Sequence, residues 1–314
     1  MLNRLRKFLL SLPIIKQLIA LLERIRFPGF PEASLMDVFR RFRDSLSSSR
    51  ISMRAAAVSF NFFMAIFPSV IFMFTLTAYL PIEDFDVRLL DALQQVLPPA
   101  SYMAVKNTIL DIISQQRGGL LSLGVLVALF YSINGVKSVI DSFNSSSIVR
   151  DTRPVFKIYL VSLALTLFII ILLVLAIALM IFTNLALDFL IDKGIITYGI
   201  NYALIVAGKW IIFYSLILFS VAFLYYLGPP RHTRMRFLSL GALATSFLML
   251  LLIVGFGFFV KNFGTYNTVY GSVGALIALL ALINLSSMLL LAGYEFNLSV
   301  KGLAARRDTE AGIN

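Results

Sequence analysis

The chain has 314 residues, of which 59% are hydrophobic and only 14% charged, with a formal net charge of +11. A soluble domain carries about 25% charged residues, so this composition excludes a water-soluble globule and requires apolar surface to meet lipid. There is no cysteine, which removes disulfides, thiol nucleophiles and cysteine metal sites together.

Residues 2–26 place Leu2, Leu5, Leu9 and Leu12, then Ile15, Leu18, Ile19 and Leu22, at helical spacing among Arg4, Arg6, Lys7, Lys16, Arg24 and Arg26. The pattern predicts a basic amphipathic helix that lies in the headgroup plane and is drawn to anionic lipid. Lys16, Glu23 and Arg24 interrupt its apolar run and no small-residue cleavage site follows, so no secretory leader is expected. Phe27-Pro28-Gly29-Phe30-Pro31 breaks this helix. A second is expected from about Ser34 to Ser48, with Leu35, Val38, Phe39, Phe42 and Leu46 beside Arg40, Arg41 and Arg43.

Six stretches are long and apolar enough to cross a hydrocarbon core of about 30 Å, which takes about 20 residues as a helix. They are 55–80, 119–140, 156–187, 203–227, 237–260 and 272–298. The fold class is therefore an all-α polytopic bundle. Its organisation divides into interfacial helices over 1–50, a six-helix transmembrane domain over 51–300, and a tail over 301–314. Pro68 inside the first span removes a backbone donor and is expected to kink it. Phe60, Phe63, Phe67 and Phe74 form a stripe there that reads as packing. The connection 81–118 carries Glu83, Asp84, Asp86, Asp91 and Asp111 among apolar residues, broken at Pro98-Pro99; two short helices capping one face are expected. In the second span, Asn134, Lys137 and Asp141 crowd one end. The third is free of charge from Ile158 to Leu187. In the fourth, Lys209 is expected to snorkel outward. Lys261, Asn262, Tyr266 and Asn267 form a polar patch before the sixth. On the sixth, Gly271, Gly274, Ala275 and Ala278 make a small-residue face that permits close helix approach. No internal sequence repeat stands out, although the six spans pair as three hairpins.

Lys and Arg set the orientation. Segments 1–54, 137–157, 228–236 and 301 onward hold eleven, four, three and three, against three, two and one in 81–117, 184–209 and 261–271. Both termini are expected in the cytoplasm.

Polar groups within spans are expensive and usually turn inward. Glu295 lies near the cytoplasmic end of the last span, and Arg54 opens the first span on the same side. Three readings of Glu295 stand open: an ion pair with Arg54 that closes the bundle, a site for a headgroup, cation or proton, and a side chain that snorkels without a role. Asn61 and Asn284, near the middles of their spans, are candidates for hydrogen bonds across helices. The single histidine, His232, sits between Arg231 and Arg234. With one His and no Cys, the ligand set of a zinc hydrolase is missing, and the acids on the cytoplasmic side show no magnesium-site spacing. No cofactor, metal or enzyme activity is expected.

Three stretches carry a resemblance to a known family. Arg54-Ala55-Ala56-Ala57 is followed by Phe67-Pro68. Asn144 is followed by Arg153-Pro154. Tyr270-Gly271-Ser272-Val273-Gly274-Ala275 leads on to Leu291-Ala292-Gly293-Tyr294-Glu295-Phe296-Asn297. Together, and over about residues 35–300, these resemble the BrkB/YihY family of bacterial inner-membrane proteins. The chain departs from the family's pattern where Leu282 and Asn284 replace an aromatic pair and where Phe60 and Phe62 replace tyrosines. The resemblance implies a multi-pass inner-membrane protein, with members linked to serum resistance and, in some relatives, to export of lipid. It supplies no catalytic residues, and a ribonuclease label once given to the family is regarded as mistaken.

The expected function is inner-membrane transport of lipid or a lipid-like substrate, with Glu295, Arg54, Asn61 and Asn284 lining an inward-facing cavity. The alternative is a non-transporting scaffold that binds envelope partner proteins. Anionic headgroups are the expected partners at the cytoplasmic face, a homo-oligomer is allowed, and nucleic acid is not expected, because positive-inside topology already accounts for the basic excess.

Overall fold

The structure, a computed structural model, describes residues 26–27, 30–34, 42, 51–77, 106, 118–145, 151–194, 199–230, 236–262 and 264–310. Among the described residues six helices carry the fold: α1 (Ile51–Thr77), α2 (Gly118–Asn144), α3 (Val155–Asp192), α4 (Ile200–Leu227), α5 (Leu240–Asn262) and α6 (Gly264–Glu310). Each contains a segment long and apolar enough to cross a membrane. Before them a small antiparallel ribbon pairs β1 (Arg26–Phe27) with β2 (Phe30–Ser34), so strand pairing brackets the break expected at 27–31. The interfacial helices expected over 2–26 and 34–48, the cap expected over 81–118 and the loop holding His232 fall outside the described residues, isolated positions apart.

The helix bounds depart furthest from the sequence reading in two places. The polar stretch expected as a connection over 261–271 is helical on both sides of residue 263. Residues 265–270 contain neither Pro nor Gly, and extending an existing helix through them costs little. At the other end α6 continues through Ala304, Ala305, Arg306 and Arg307, all good helix formers. Helix α3 has 38 residues, about 57 Å at 1.5 Å per residue, so it must tilt or project beyond the hydrocarbon. It ends where Gly194 takes φ 65° and its amide donates back to the Ile191 carbonyl, a left-handed cap that glycine adopts without steric cost. Helix α1 runs through Pro68 unbroken.

Consecutive helices pack on one another and α6 returns to α1, so the six close into a ring. The core of that ring is packed at one end. Fully buried there are Ala55 and Val58 of α1, Ile140 and Phe143 of α2, Leu165 of α3, Val221 and Tyr225 of α4, Ala242 of α5, and Leu291 and Tyr294 of α6. This closed end gathers the starts of α1, α3 and α5 and the ends of α2, α4 and α6. Toward the other end the stripe of α3 stays buried at Leu172, Ala176 and Leu187, as do Gly124 and Ala128 of α2 and Gly274 of α6, whereas the stripes of α4 and α5 become exposed. On α4 the stripe runs from Tyr225, fully buried, and Val221 at 2% exposure to Ile211 at 65% and Leu204 at 64%. On α5 it runs from Ala242, fully buried, to Val260 at 56%. At about 100° per residue Tyr225, Ile211 and Leu204 fall within about 60° of one another, and Ala242 and Val260 coincide; the change is therefore in the surroundings and not in the direction of the side chain.

Hydroxyls within the spans bond to their own helices. Ser69, Ser162, Thr166, Thr183, Ser220, Ser246 and Ser299 each donate to the carbonyl four residues earlier, which meets the demand that polar groups in lipid find a partner within the protein. In the phenylalanine stripe of α1, Phe60 and Phe67 are exposed and the half-buried Phe63 meets Phe67 edge-on, while the surroundings of Phe74 lie outside the described side chains.

Candidate functional site

Helix C-termini leave carbonyls without intrahelical partners and carry partial negative charge. At the closed end two arginines answer this. Arg54, in the first turn of α1, donates from Nη1 to the Ser142 carbonyl in the last turn of α2 at 2.6 Å. Its Nη2 donates to Glu295 Oε1 of α6 at 2.8 Å. The Glu295 side chain is 1% exposed and that of Arg54 12%, so the pair is withdrawn from water and joins three helices. Of the readings open from sequence, the structure shows the ion pair that closes the bundle. The remaining donor of Arg54, Nε, has no hydrogen-bond partner among the described residues.

The second arginine works through an acid. Arg153, just before α3, donates from Nη2 to the Gly228 carbonyl at the end of α4 at 2.6 Å. It also holds Asp151 through Nη2 at 2.7 Å and through Nε at 3.0 Å, while its amide donates to Asp151 Oδ1 at 2.9 Å. Asn144 Nδ2 at the end of α2 donates to Asp151 Oδ2 at 2.6 Å. Burial pushes the Asp151 carboxyl upward, but the Arg153 hydrogen bonds and charge, with the Asn144 amide, outweigh it and hold the group below the usual carboxylate range. The crowded end of α2 is accommodated nearby: Lys137 pairs with Asp141 at 2.6 Å across one turn and sits over the Tyr159 ring of α3.

The start of α5 is satisfied from α6. Ser239 Oγ accepts the Ala242 amide, as an N-cap does. Asn297 Oδ1 accepts the Gly241 amide at 2.8 Å, and Asn297 Nδ2 donates to Ser239 Oγ at 2.8 Å. The Gly-x-Glu-x-Asn run of α6 is thereby explained by geometry. Gly293 and Asn297 are four apart and share the face toward α5, whereas Glu295, about 200° around from Gly293, faces α1. A β-carbon at Gly293 would stand 1.7 Å from Thr245 Oγ1 and 2.6 Å from the Tyr225 hydroxyl, so only glycine lets α5 come this close. The Tyr225 hydroxyl in turn donates to the Leu290 carbonyl at 2.6 Å and lies 3.0 Å from Thr245 Oγ1.

Among the residues singled out from sequence, Arg54 and Glu295 meet. Asn284 crosses to α1, donating to Ser59 Oγ at 3.3 Å, and Ser59 lies 3.4 Å from Ser287 Oγ. Asn61 stands apart and donates to the Ala57 carbonyl of its own helix at 3.0 Å. Gly274 is buried and Ala278 half-buried on α6; the surroundings of Gly271 and Ala275 lie outside the described side chains. Lys209, expected only to snorkel, donates to Asn184 Oδ1 of α3 at 3.1 Å. Sequence reasoning missed Tyr225, Thr245 and Gly241. Ser239, set just before an apolar run, carried a readable helix-start signal; the other three carried none.

Residues 42–312 match the family described as Virulence factor BrkB. The chain is 29% identical to the ribonuclease-like protein YfkH of Bacillus subtilis (strain 168) over 78% of its own length and 88% of the relative's. It is 31% identical to a UPF0761 membrane protein of Tolumonas auensis over 26% of its own length and 28% of that protein's. No solved structure matches the chain.

Proposed function

Since the chain belongs to the BrkB virulence-factor family and is a multi-pass membrane protein, we propose that it is an inner-membrane transport protein that moves lipid or a lipid-like substrate, with both termini in the cytoplasm. One observation carries the reading: the helix ring is packed at one end, and toward the other the inward stripes of α4 and α5 become exposed and aliphatic while that of α3 stays buried. A ring that only had to hold itself together would be packed along its length, because each unfilled stretch forfeits dispersion contacts. The exposed stripes of α4 and α5 offer apolar surface to a hydrocarbon chain and no charge to a hydrated solute. The basic excess on the side of the termini supports the orientation, and it supplies anionic headgroups as neighbours at that face. In the opened state Arg54 and Glu295 are uncovered at the mouth of the path, with Asn284 and Asn61 farther along it.

The ribonuclease-like name belongs to YfkH. For this chain, with one histidine and no cysteine, no enzymatic role is proposed.

The test is leaflet exchange of fluorescent phospholipid in proteoliposomes, read with an impermeant quencher. Exchange above that of empty vesicles, reduced by Glu295→Gln, is the expected result. Well-folded protein that exchanges nothing overturns lipid transport and favours the non-transporting scaffold, whose mark is envelope proteins that co-purify and are lost when 84–116 is deleted.

A further inference from the structure

Around the ring the strong packing is between sequence neighbours and between α6 and α1, yet three rings from alternate helices meet inside it. Phe143 of α2 stacks on Tyr294 of α6 at 4.1 Å between centroids, and Tyr225 of α4 lies 5.7 Å from Phe143 and 5.8 Å from Tyr294. Helices α2, α4 and α6 are separated by the odd-numbered ones, so a triangle drawn between them crosses the ring axis. All three side chains are at most 1% exposed.

The hairpins α1–α2, α3–α4 and α5–α6 repeat a second feature. In each, the start of the odd helix is tied at the closed end to the end of the even one. Arg54 reaches the Ser142 carbonyl, and Arg153 reaches the Gly228 carbonyl. In the third hairpin the even helix supplies the side chain, Asn297, which holds Ser239 and the Gly241 amide. Each hairpin thus contributes one tie and one axial aromatic, a pseudo-threefold plan that no sequence repeat announces.

We infer that the ring axis is a path and that Phe143, Tyr225 and Tyr294 are its gate at the closed end, each carried by a hairpin whose two helices one tie holds together. Beyond this plug the stripes of α4 and α5 open, and Ser59 and Ser287 lie buried behind it. Opening requires the hairpins to part like an iris, each moving as a unit because its tie keeps one helix from leaving the other. That the gate serves a transported substrate rests on the transport reading; that it seals the axis does not.

The absence of native cysteine allows a direct test. Ser287 lies seven residues from Tyr294, about 10 Å toward the open end, and is buried. Ser287→Cys is placed in vesicles of both orientations and treated with a membrane-impermeant charged methanethiosulfonate. From the closed-end side, labelling of the single variant is expected to be at least tenfold slower than that of S287C/F143A or S287C/Y294A, while Y294F, which keeps the ring, leaves it slow. F143L, which retains bulk, serves in place of alanine if that variant fails to fold, with a smaller but definite rise expected. A closed-side rate that ring removal leaves unchanged overturns the gate. Loss of leaflet exchange with the seal behaving as described sinks transport alone; unchanged labelling beside intact exchange sinks the gate alone.

Discussion

Replacing Gly293 by alanine tests the tightest contact in the bundle. The new methyl would sit 1.7 Å from Thr245 Oγ1, 3.1 Å from Thr245 Cβ and 2.6 Å from the Tyr225 hydroxyl. Relief has two routes. Helices α5 and α6 can move apart, undoing the Asn297 bonds one turn away, or Thr245 can leave its rotamer, which a β-branched side chain in a helix resists. The second route breaks the 3.0 Å contact between Tyr225 and Thr245. Overpacking costs about 1–3 kcal/mol and a lost interhelical hydrogen bond in a membrane about 0.6–1.7 kcal/mol, so G293A is expected to destabilise by about 2–4 kcal/mol. At roughly 2 °C per kcal/mol for a chain of this size, the Tm in detergent, followed by circular dichroism, falls by about 4–8 °C. Adding T245A removes Oγ1, the nearest clash, and should restore about half of the loss, a coupling that independent sites do not show. A G293A protein within 1 °C of the parent, or a double variant no better than the single, refutes the close-packing account of this glycine.

Three further outcomes follow from the closed-end network. Arg54→Ala or Glu295→Ala alone strands a buried charge and is expected to cost about 3–5 kcal/mol, whereas R54M/E295L, which removes both charges, is close to neutral; unfolding in a graded denaturing detergent compares them, and equal losses in all three would count against a buried pair. Asn297→Ala leaves the Gly241 amide without its acceptor and should cost about 1–2 kcal/mol, as loss of a helix cap does, which the same unfolding series measures. The Asp151 carboxyl is held below its unfolded value, so its clamp contributes fully above the unfolded pKa of about 3.9 and is lost as pH falls through the lower folded value. The gap in Tm between parent and D151N should therefore stay level from pH 8 to 5 and close only below about 4; a gap that closes between pH 7 and 5 would show that Asp151 is not held by Arg153.

Much of this protein was legible along the chain, because a bilayer leaves few solutions. Backbone groups without water force helices, and a fixed apolar thickness forces their length. The six spans and their bundle class therefore follow from composition and the spacing of charges. Glu295 and Arg54 could be singled out as well, since an ionisable group within a span is costly wherever it lies. Their pairing was one of three open readings, and the structure decided it at 2.8 Å. Other relations could be decided only by the tertiary structure. That α6 closes back on α1, that Asn61 bonds to its own helix while Asn284 reaches Ser59, and that Gly293 and Asn297 face α5 while Glu295 faces α1 all depend on how the helices are rotated about their axes. A hydropathy pattern averages over that rotation: in lipid the outward face is as apolar as the inward one, and the periodicity that marks the buried face of a soluble helix is lost. The axial meeting of Phe143, Tyr225 and Tyr294 lies further still from the sequence, since three aromatic residues on alternate helices look like any others until a ring brings them to one point.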